Sequence, residues 1–293
     1  MDLRTTLTLT DDEARSVRRL LADSIAQDGA EALSEQTVLH LKAPAADFRH
    51  VLALQGDEVV GYAHLDHTGD QAGVELVVAP AARRQGVGEA LWREVTDLVP
   101  SARVWAHGDL PAAQAWARDR GLEVVRELHR MGRTLEGLAD LDVDLPEGYR
   151  ARTFTPDDVD AWVSLNARAF ADHPEQGRIT ADDVRDRMGE DWFDADGFFL
   201  IEGPSDDGGH RQAAFHWTKE TDGEGEVYVV GVDPDLQGLG LGKAATRLGL
   251  RHLARRGLPR VTLYVDGDNT AALATYQRQG FERIALDVMY GLR

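Results

Sequence analysis

Two glycine-bearing loops carry the first chemical signal in the sequence. One is Gln237-x-x-Gly240-x-Gly242, behind the apolar run 226–232 and the stop Asp233-Pro234. The other is Arg83-Arg84-Gln85-Gly86-Val87-Gly88, behind the run 73–78 and Ala79-Pro80. Each context reads as a strand, a tight turn and the start of a helix. Glycines at such a turn let backbone N–H groups point inward and approach a ligand closely. The helix N-terminus behind them adds partial positive charge, so the turn suits a pyrophosphate. No Gly-Lys-Ser/Thr ending marks a Walker loop, and no Gly-x-Gly-x-x-Gly with its acidic partner marks a dinucleotide fold.

The elements that must position these loops follow in the same order twice. In the first half, Thr10 to Glu13 looks like a capping box opening a helix to about Gln27, and residues 34–41 form a short second helix. Strands follow at 50–54, 59–65 and 73–78, then the first loop and its helix, a strand at 103–106, a helix at 111–120 and a strand or strand pair at 122–133. Periodicity fades over 135–148, which reads as a linker. The order restarts with a strand at 149–154 and a helix opened by Thr155-Pro156. A second helix capped by Thr180, strands at 197–202 and 212–219, and the second loop come next. A strand at 261–265, a helix at 269–279 and strands to 292 complete the half. Overlay confirms a repeat: Pro80, Gly86 and Gly88 fall on Pro234, Gly240 and Gly242 at an offset of 154, and Trp105–Asp109 falls on Tyr264–Asp268 at 159. The expected fold is α/β (α+β), two domains at 1–138 and 148–293, each a mixed, mostly antiparallel sheet flanked by helices.

Composition narrows the partners. The formal charge is −19, which disfavours nucleic acid and anionic membrane and leaves a polyanionic ligand dependent on local donors. There are no cysteines, so a disulfide, a thiolate metal site and a Cys nucleophile are excluded, and no metal is expected. The lone histidines, such as His173 and His216, lack ligand spacing. No signal sequence or membrane-spanning run is legible, which predicts a cytoplasmic protein, taken as a monomer.

Gln/Arg-x-x-Gly-x-Gly after a strand ending in Val-Asp-Pro resembles the acyl-CoA loop of the GNAT N-acetyltransferase superfamily. Acetyl transfer to an amine needs a base for the ammonium, donors for the tetrahedral oxyanion and a proton for the departing thiolate. In the second half Glu226, on the strand leading to the loop, suits the base, and Tyr276, on the helix after Asp268-Asn269, suits the acid. The overlay places Ala72, Ala117 and Leu110 at the positions of Glu226, Tyr276 and Asn269. Both halves are therefore expected to hold acyl-CoA and only the second to do chemistry. A gap of one or two residues near 72 brings Glu75 into play, and Glu75 is equally an ordinary strand-edge carboxylate.

Longer strings narrow the resemblance. His173-Pro-Glu-Gln-Gly177, Phe215-His-Trp-Thr-Lys219, the stretch 225–234, Leu263-Tyr-Val265 and Thr275-Tyr-Gln-x-x-Gly-Phe281 resemble the mycothiol synthase family, as do 75–78 and 105–108. These are tandem GNAT proteins of actinobacteria that acetylate the cysteinyl amine of cysteinyl-glucosaminyl-inositol. The resemblance implies acetyl-CoA contacts at Val230, Gly231 and Val232, at Gln237, Gly238, Leu239, Gly240, Leu241, Gly242 and Lys243, and at Asn269, Thr270, Ala271, Ala272, Leu273 and Ala274. In the first half it implies contacts at Leu76, Val77 and Val78 and at Arg84, Gln85, Gly86, Val87, Gly88 and Glu89. For the acceptor it implies Glu35, Glu175, Lys219, Glu226 and Tyr264, with Glu226 as general base and Tyr276 as general acid. Since Glu35 belongs to the first domain, an acceptor site between domains is implied. One departure is visible: Gly238-Leu239 stands where the family has an arginine pair.

Residue type alone leaves other roles open. Glu35 equally favours a helix dipole, Glu175 an exposed loop, Lys219 a solvated strand end, and Tyr276 an amphipathic helix core. Two other functions compete: a GNAT enzyme acting on another small amine, an aminoglycoside or a protein N-terminus, and a CoA-binding regulatory module without catalysis.

Overall fold

The computed structural model describes residues 1–42, 47–67, 71–171, 176–205 and 208–292. In chain order the elements are β1 (Asp2–Thr6), α1 (Asp11–Asp28), α2 (Glu35–His40), β2 (Phe48–Gln55), β3 (Glu58–Asp66), β4 (Gly73–Val78), α3 (Val87–Leu98), β5 (Arg103–Ala106), α4 (Pro111–Asp119) and β6 (Glu123–Thr134). They continue with β7 (Arg150–Thr153), α5 (Val159–Ala169), α6 (Ala181–Met188), β8 (Phe198–Pro204), β9 (His210–Thr221), β10 (Glu224–Val232), α7 (Leu241–Arg255), β11 (Arg260–Asp266), α8 (Thr270–Arg278) and β12 (Glu282–Gly291).

Local chemistry explains most boundaries. Thr10 accepts from the Glu13 N–H while the Glu13 carboxylate takes the Thr10 N–H, satisfying two donors at the start of α1. Thr180 and Asp183 do the same for α6. Gly29 ends α1 at φ 69°, a left-handed position that costs glycine little.

By contacts the chain divides into two units. Unit 1 comprises Met1–Leu128, Asp266–Asp268 and Ala285–Arg293; unit 2 comprises His129–Val265 and Asn269–Ile284. The strand order of unit 1 is β1-β2-β3-β4-β5-β12, and that of unit 2 is β6-β11-β10-β9-β8-β7. In unit 1 the β4/β5 pair is parallel and β12 runs antiparallel to β5. In unit 2 the β10/β11 pair is parallel, and β7, β8, β9 and β10 pair antiparallel in succession.

Each sheet is covered on both faces. In unit 1, Val17, Leu20 and Leu21 of α1 pack with Leu52, Tyr62 and Val77, while Val87, Leu91 and Val95 of α3 pack with Val51, Ala53 and Val74 on the other face. In unit 2, Trp162 and Leu165 of α5 pack with Phe198, Phe215 and Trp217, while α7 covers the opposite face through Leu241, Ala245, Leu250 and Leu253. Each fully buried aliphatic or aromatic side chain stabilises the fold by roughly 1.5–3 kcal/mol.

Candidate active site

The β10/β11 ladder has only two rungs, Gly225 with Val261 and Glu226 with Thr262. β10 then runs on to Val232 and β11 to Asp266. The β4/β5 ladder is as short, Gly73 with Arg103 and Val74 with Val104. Strands that part after two rungs turn backbone N–H and C=O groups toward the gap, where a ligand can replace the missing ladder. At the end of each gap lies a glycine loop. Gly238 and Gly240 have φ of 81° and 85°, and Arg84 and Gly86 have 61° and 84°. Both loops thus share one left-handed turn, with Arg84 adopting the conformation that glycine takes at 238. The caps of α3 and α7 are Gly86 and Gly240, so no cap side chain occupies the first-turn N–H groups. That cradle fits the pyrophosphate of acyl-CoA. Leu239 is 49% exposed in the second loop, where an arginine was expected by resemblance.

The two loops are anchored differently. Asp233, fully buried, accepts from the Asp235 N–H at 3.1 Å and from Arg168 at 2.5 Å. In unit 1, Arg83 donates to the Val78 carbonyl at 3.1 Å and to both oxygens of Asp28 at 2.7 Å.

A β-bulge decides which face Glu226 occupies. The β9/β10 register shifts between Val227 and Val229, leaving Tyr228 as the extra residue. Ahead of it, Val227 packs with Leu250 and Leu253 under α7; beyond it, Val229 packs with Trp162 and Trp217 under α5. Strand alternation then turns Glu226 to the α5 face, with Lys219 directly opposite on β9. Tyr264, 44% exposed, lies two residues beyond Thr262, the partner of Glu226 on β11.

The bulge also corrects the overlay. Glu226 pairs with Thr262 and Gly73 pairs with Arg103, which precedes Thr262 by the later offset of 159. Position 226 therefore corresponds to Gly73 rather than Ala72. Glu75 is buried elsewhere. It accepts from the Ser34 N–H at 2.6 Å and the Ser34 hydroxyl at 2.7 Å, and lies 3.6 Å from His107 Nε2. His107 Nδ1 reaches Asp287 at 3.2 Å. Burial opposes the charge of Glu75, but His107 and Ser34 outweigh it and hold the carboxyl below its usual range. Burial likewise opposes the His107 cation, yet Asp287 and Glu75 push it up to about 10. Glu75 is thus a paired anion.

Helix α8 opens on Asn269, whose side chain accepts from the Ala272 N–H at 3.1 Å; α4 opens on Leu110, which offers no such cap. Thr270, Ala271, Ala272, Leu273 and Ala274 form the first turns of α8, and Tyr276 packs edge-on to Phe281 at 5.7 Å between ring centres. Burial pushes the Tyr276 phenol up to about 12, so it carries its proton at neutral pH. Glu35 is the first residue of α2 in unit 1. Glu175, with His173, lies outside the described residues. Among the described residues no group of three or more His, Asp or Glu is placed to hold a metal, and no helix is long and apolar enough to cross a membrane.

The sequence reading missed the surroundings of Lys219. Its Nζ stands 4.8 Å from the Trp192 ring centre and 5.5 Å from that of Tyr228. The signal within reach was Tyr228 itself, two residues from Glu226 on the same strand.

The model of the acetyltransferase (GNAT) family matches residues 16–130 and 161–281. A protein of Thermomonospora curvata named mycothiol acetyltransferase is 48% identical over 287 residues, covering 96% of this chain and 94% of that one. One of Streptomyces bingchenggensis bearing the same name is 49% identical over 290 residues, covering 94% and 92%. The chain belongs to the mycothiol acetyltransferase family of tandem GNAT proteins. It is an acyltransferase of that family, and acetyl-CoA is the family's cosubstrate. A tandem GNAT protein from the clavulanic acid biosynthesis pathway has the same fold, with a TM-score of 0.72 at 20% identity over 99% of this chain and 98% of that one. So does a GCN5-related N-acetyltransferase from Sphaerobacter thermophilus, at 0.71 and 23% over 98% and 94%.

Proposed function

We propose that the chain transfers the acetyl group of acetyl-CoA to the cysteinyl amine of cysteinyl-glucosaminyl-inositol, giving mycothiol, and that residues 148–293 carry the chemistry. The observation that carries the assignment of the chemistry is the asymmetry of two otherwise matching sites. Both have the two-rung ladder, the parting strands and the glycine turn. Only the second has a carboxylate at the matching ladder position, where Glu226 pairs with Thr262, together with a phenol on the following helix and an asparagine cap. The first has Gly73, Ala117 and Leu110 there. The choice of acceptor rests on the names of the relatives, 45–51% identical.

Glu226 takes a proton from the cysteinyl ammonium, directly or through water. The freed amine attacks the thioester carbonyl, and the oxyanion is held by N–H groups of the stretch Val230, Gly231 and Val232. The tetrahedral intermediate loses the second amine proton to solvent and collapses with cleavage of the C–S bond; Tyr276 gives the CoA thiolate its proton and regains one from solvent. Lys219, Tyr264, Glu35 and Glu175 contact the acceptor, the carboxylates suiting its hydroxyls. The first half holds acetyl-CoA through Leu76, Val77, Val78 and its loop, without turnover. The test is CoA release by the purified protein with acetyl-CoA and cysteinyl-glucosaminyl-inositol, with product mass. Saturable release with acetylation at the cysteinyl nitrogen supports the reading; acetyl-CoA binding with no transfer to this acceptor sinks the choice of acceptor.

A further inference from the structure

We propose that Trp192 and Tyr228 are positioning residues that hold the Lys219 ammonium toward the hydroxyl-rich end of the acceptor. This rests on the acceptor reading above. Lys219 and Glu226 are directly opposed on β9 and β10, so the lysine begins where the base begins and must be aimed. Its stem has four rotatable carbons, and nothing in the strand geometry selects a direction for its tip.

The rings supply that direction. Lys219 Nζ lies within cation–π range of both, at 4.8 Å and 5.5 Å. The rings are themselves fixed. Trp192 and Tyr228 pack at 4.9 Å between centres, and Trp217, fully buried, backs both at 5.8 Å and 5.2 Å. The Tyr228 hydroxyl accepts from Arg187 Nε at 2.8 Å, and Arg187 is tied back to the Asp183 carbonyl at 2.9 Å in α6. Tyr228 is the bulged residue of β10, the one position where an extra side chain is added to this face. Attraction to ring quadrupoles orients an ammonium while it stays charged, and its N–H donors suit sugar or cyclitol oxygens.

A merely structural aromatic cluster would lower stability without regard to Lys219. The test is therefore a double-mutant cycle on acceptor KM. Trp192→Leu is expected to raise acceptor KM about five- to tenfold, the scale of one partly desolvated cation–π contact. The acetyl-CoA KM stays within about twofold. Trp192→Phe, which keeps a ring face, restores most of the loss. In a Lys219→Met background, Trp192→Leu adds little further. An unchanged acceptor KM in Trp192→Leu, or an equal rise with and without Lys219, overturns the inference while wild-type turnover leaves the acceptor reading intact. Absence of wild-type turnover with this acceptor overturns both.

Discussion

Replacing His107 by glutamine should change how the stability of unit 1 depends on alkali. His107 is 15% exposed and lies between Glu75 and Asp287, at 3.6 Å and 3.2 Å. Its cation persists to about 10, against 6.5 for a free imidazole. A group raised on folding contributes fully below its unfolded value and loses that contribution as pH climbs through its folded value. The window is therefore pH 6.5 to about 10. At about 1.4 kcal/mol for each pH unit, the pairing is worth on the order of 4 kcal/mol near neutrality and almost nothing at pH 10. Breaking a buried pair by mutation costs a similar amount, about 3–5 kcal/mol. The assay is urea unfolding at pH 7 and pH 9.5, with the unfolding free energies compared at unchanged m-value. The wild type should lose most of that stabilisation, and His107→Gln should start lower and stay flat. Its deficit relative to the wild type should narrow toward pH 5, as the buried Glu75 carboxyl, left without its cation, takes a proton. Parallel alkaline losses in both proteins would refute the triad as the cause.

Other consequences follow from single side chains. Asn269→Ala removes the α8 cap and should cost about 1 kcal/mol in thermal unfolding, with a higher acetyl-CoA KM; an unchanged KM would separate the cap from the cosubstrate. Gly238→Arg should be tolerated, since Arg84 already adopts φ 61° in the matching loop and a side chain at 238 meets nothing within 4 Å. It should lower the acetyl-CoA KM about threefold at low salt, an effect that fades as salt is added; a salt-independent change would point away from the phosphates. His50, His64 and His216 are buried and pushed down to about 4, mainly by burial. They stay neutral when folded while the unfolded chain protonates near 6.5, so stability should fall as pH drops from 6.5 toward 4. The loss is at most on the order of 2 kcal/mol for each at pH 5, and a melting temperature unchanged between pH 7 and 5 would contradict this.

What was legible in the sequence was what is decided locally. The Thr10 box, the Thr180 and Asn269 caps and the glycine turns depend on residues three or four apart, and the structure places them as expected. The repeat made both glycine loops visible. The bulge at Tyr228 was not visible, because one extra residue in an apolar strand leaves hydrophobicity intact while shifting the register. That shift moved the counterpart of Glu226 from Ala72 to Gly73. Glu75 stayed ambiguous because its partners, Ser34, His107 and, through His107, Asp287, are 41, 32 and 212 residues away. The same distance effect hid the rings around Lys219, since α6, β9 and β10 meet only in the folded unit.

The most direct test of catalysis in the second half is steady-state turnover of Glu226→Ala and Tyr276→Phe, with acetyl-CoA affinity measured alongside. Loss of an acid or base predicts that kcat falls by roughly two orders of magnitude or more in each, while acetyl-CoA still binds. Turnover within a few fold of wild type in Glu226→Ala would contradict the assignment and place the base elsewhere.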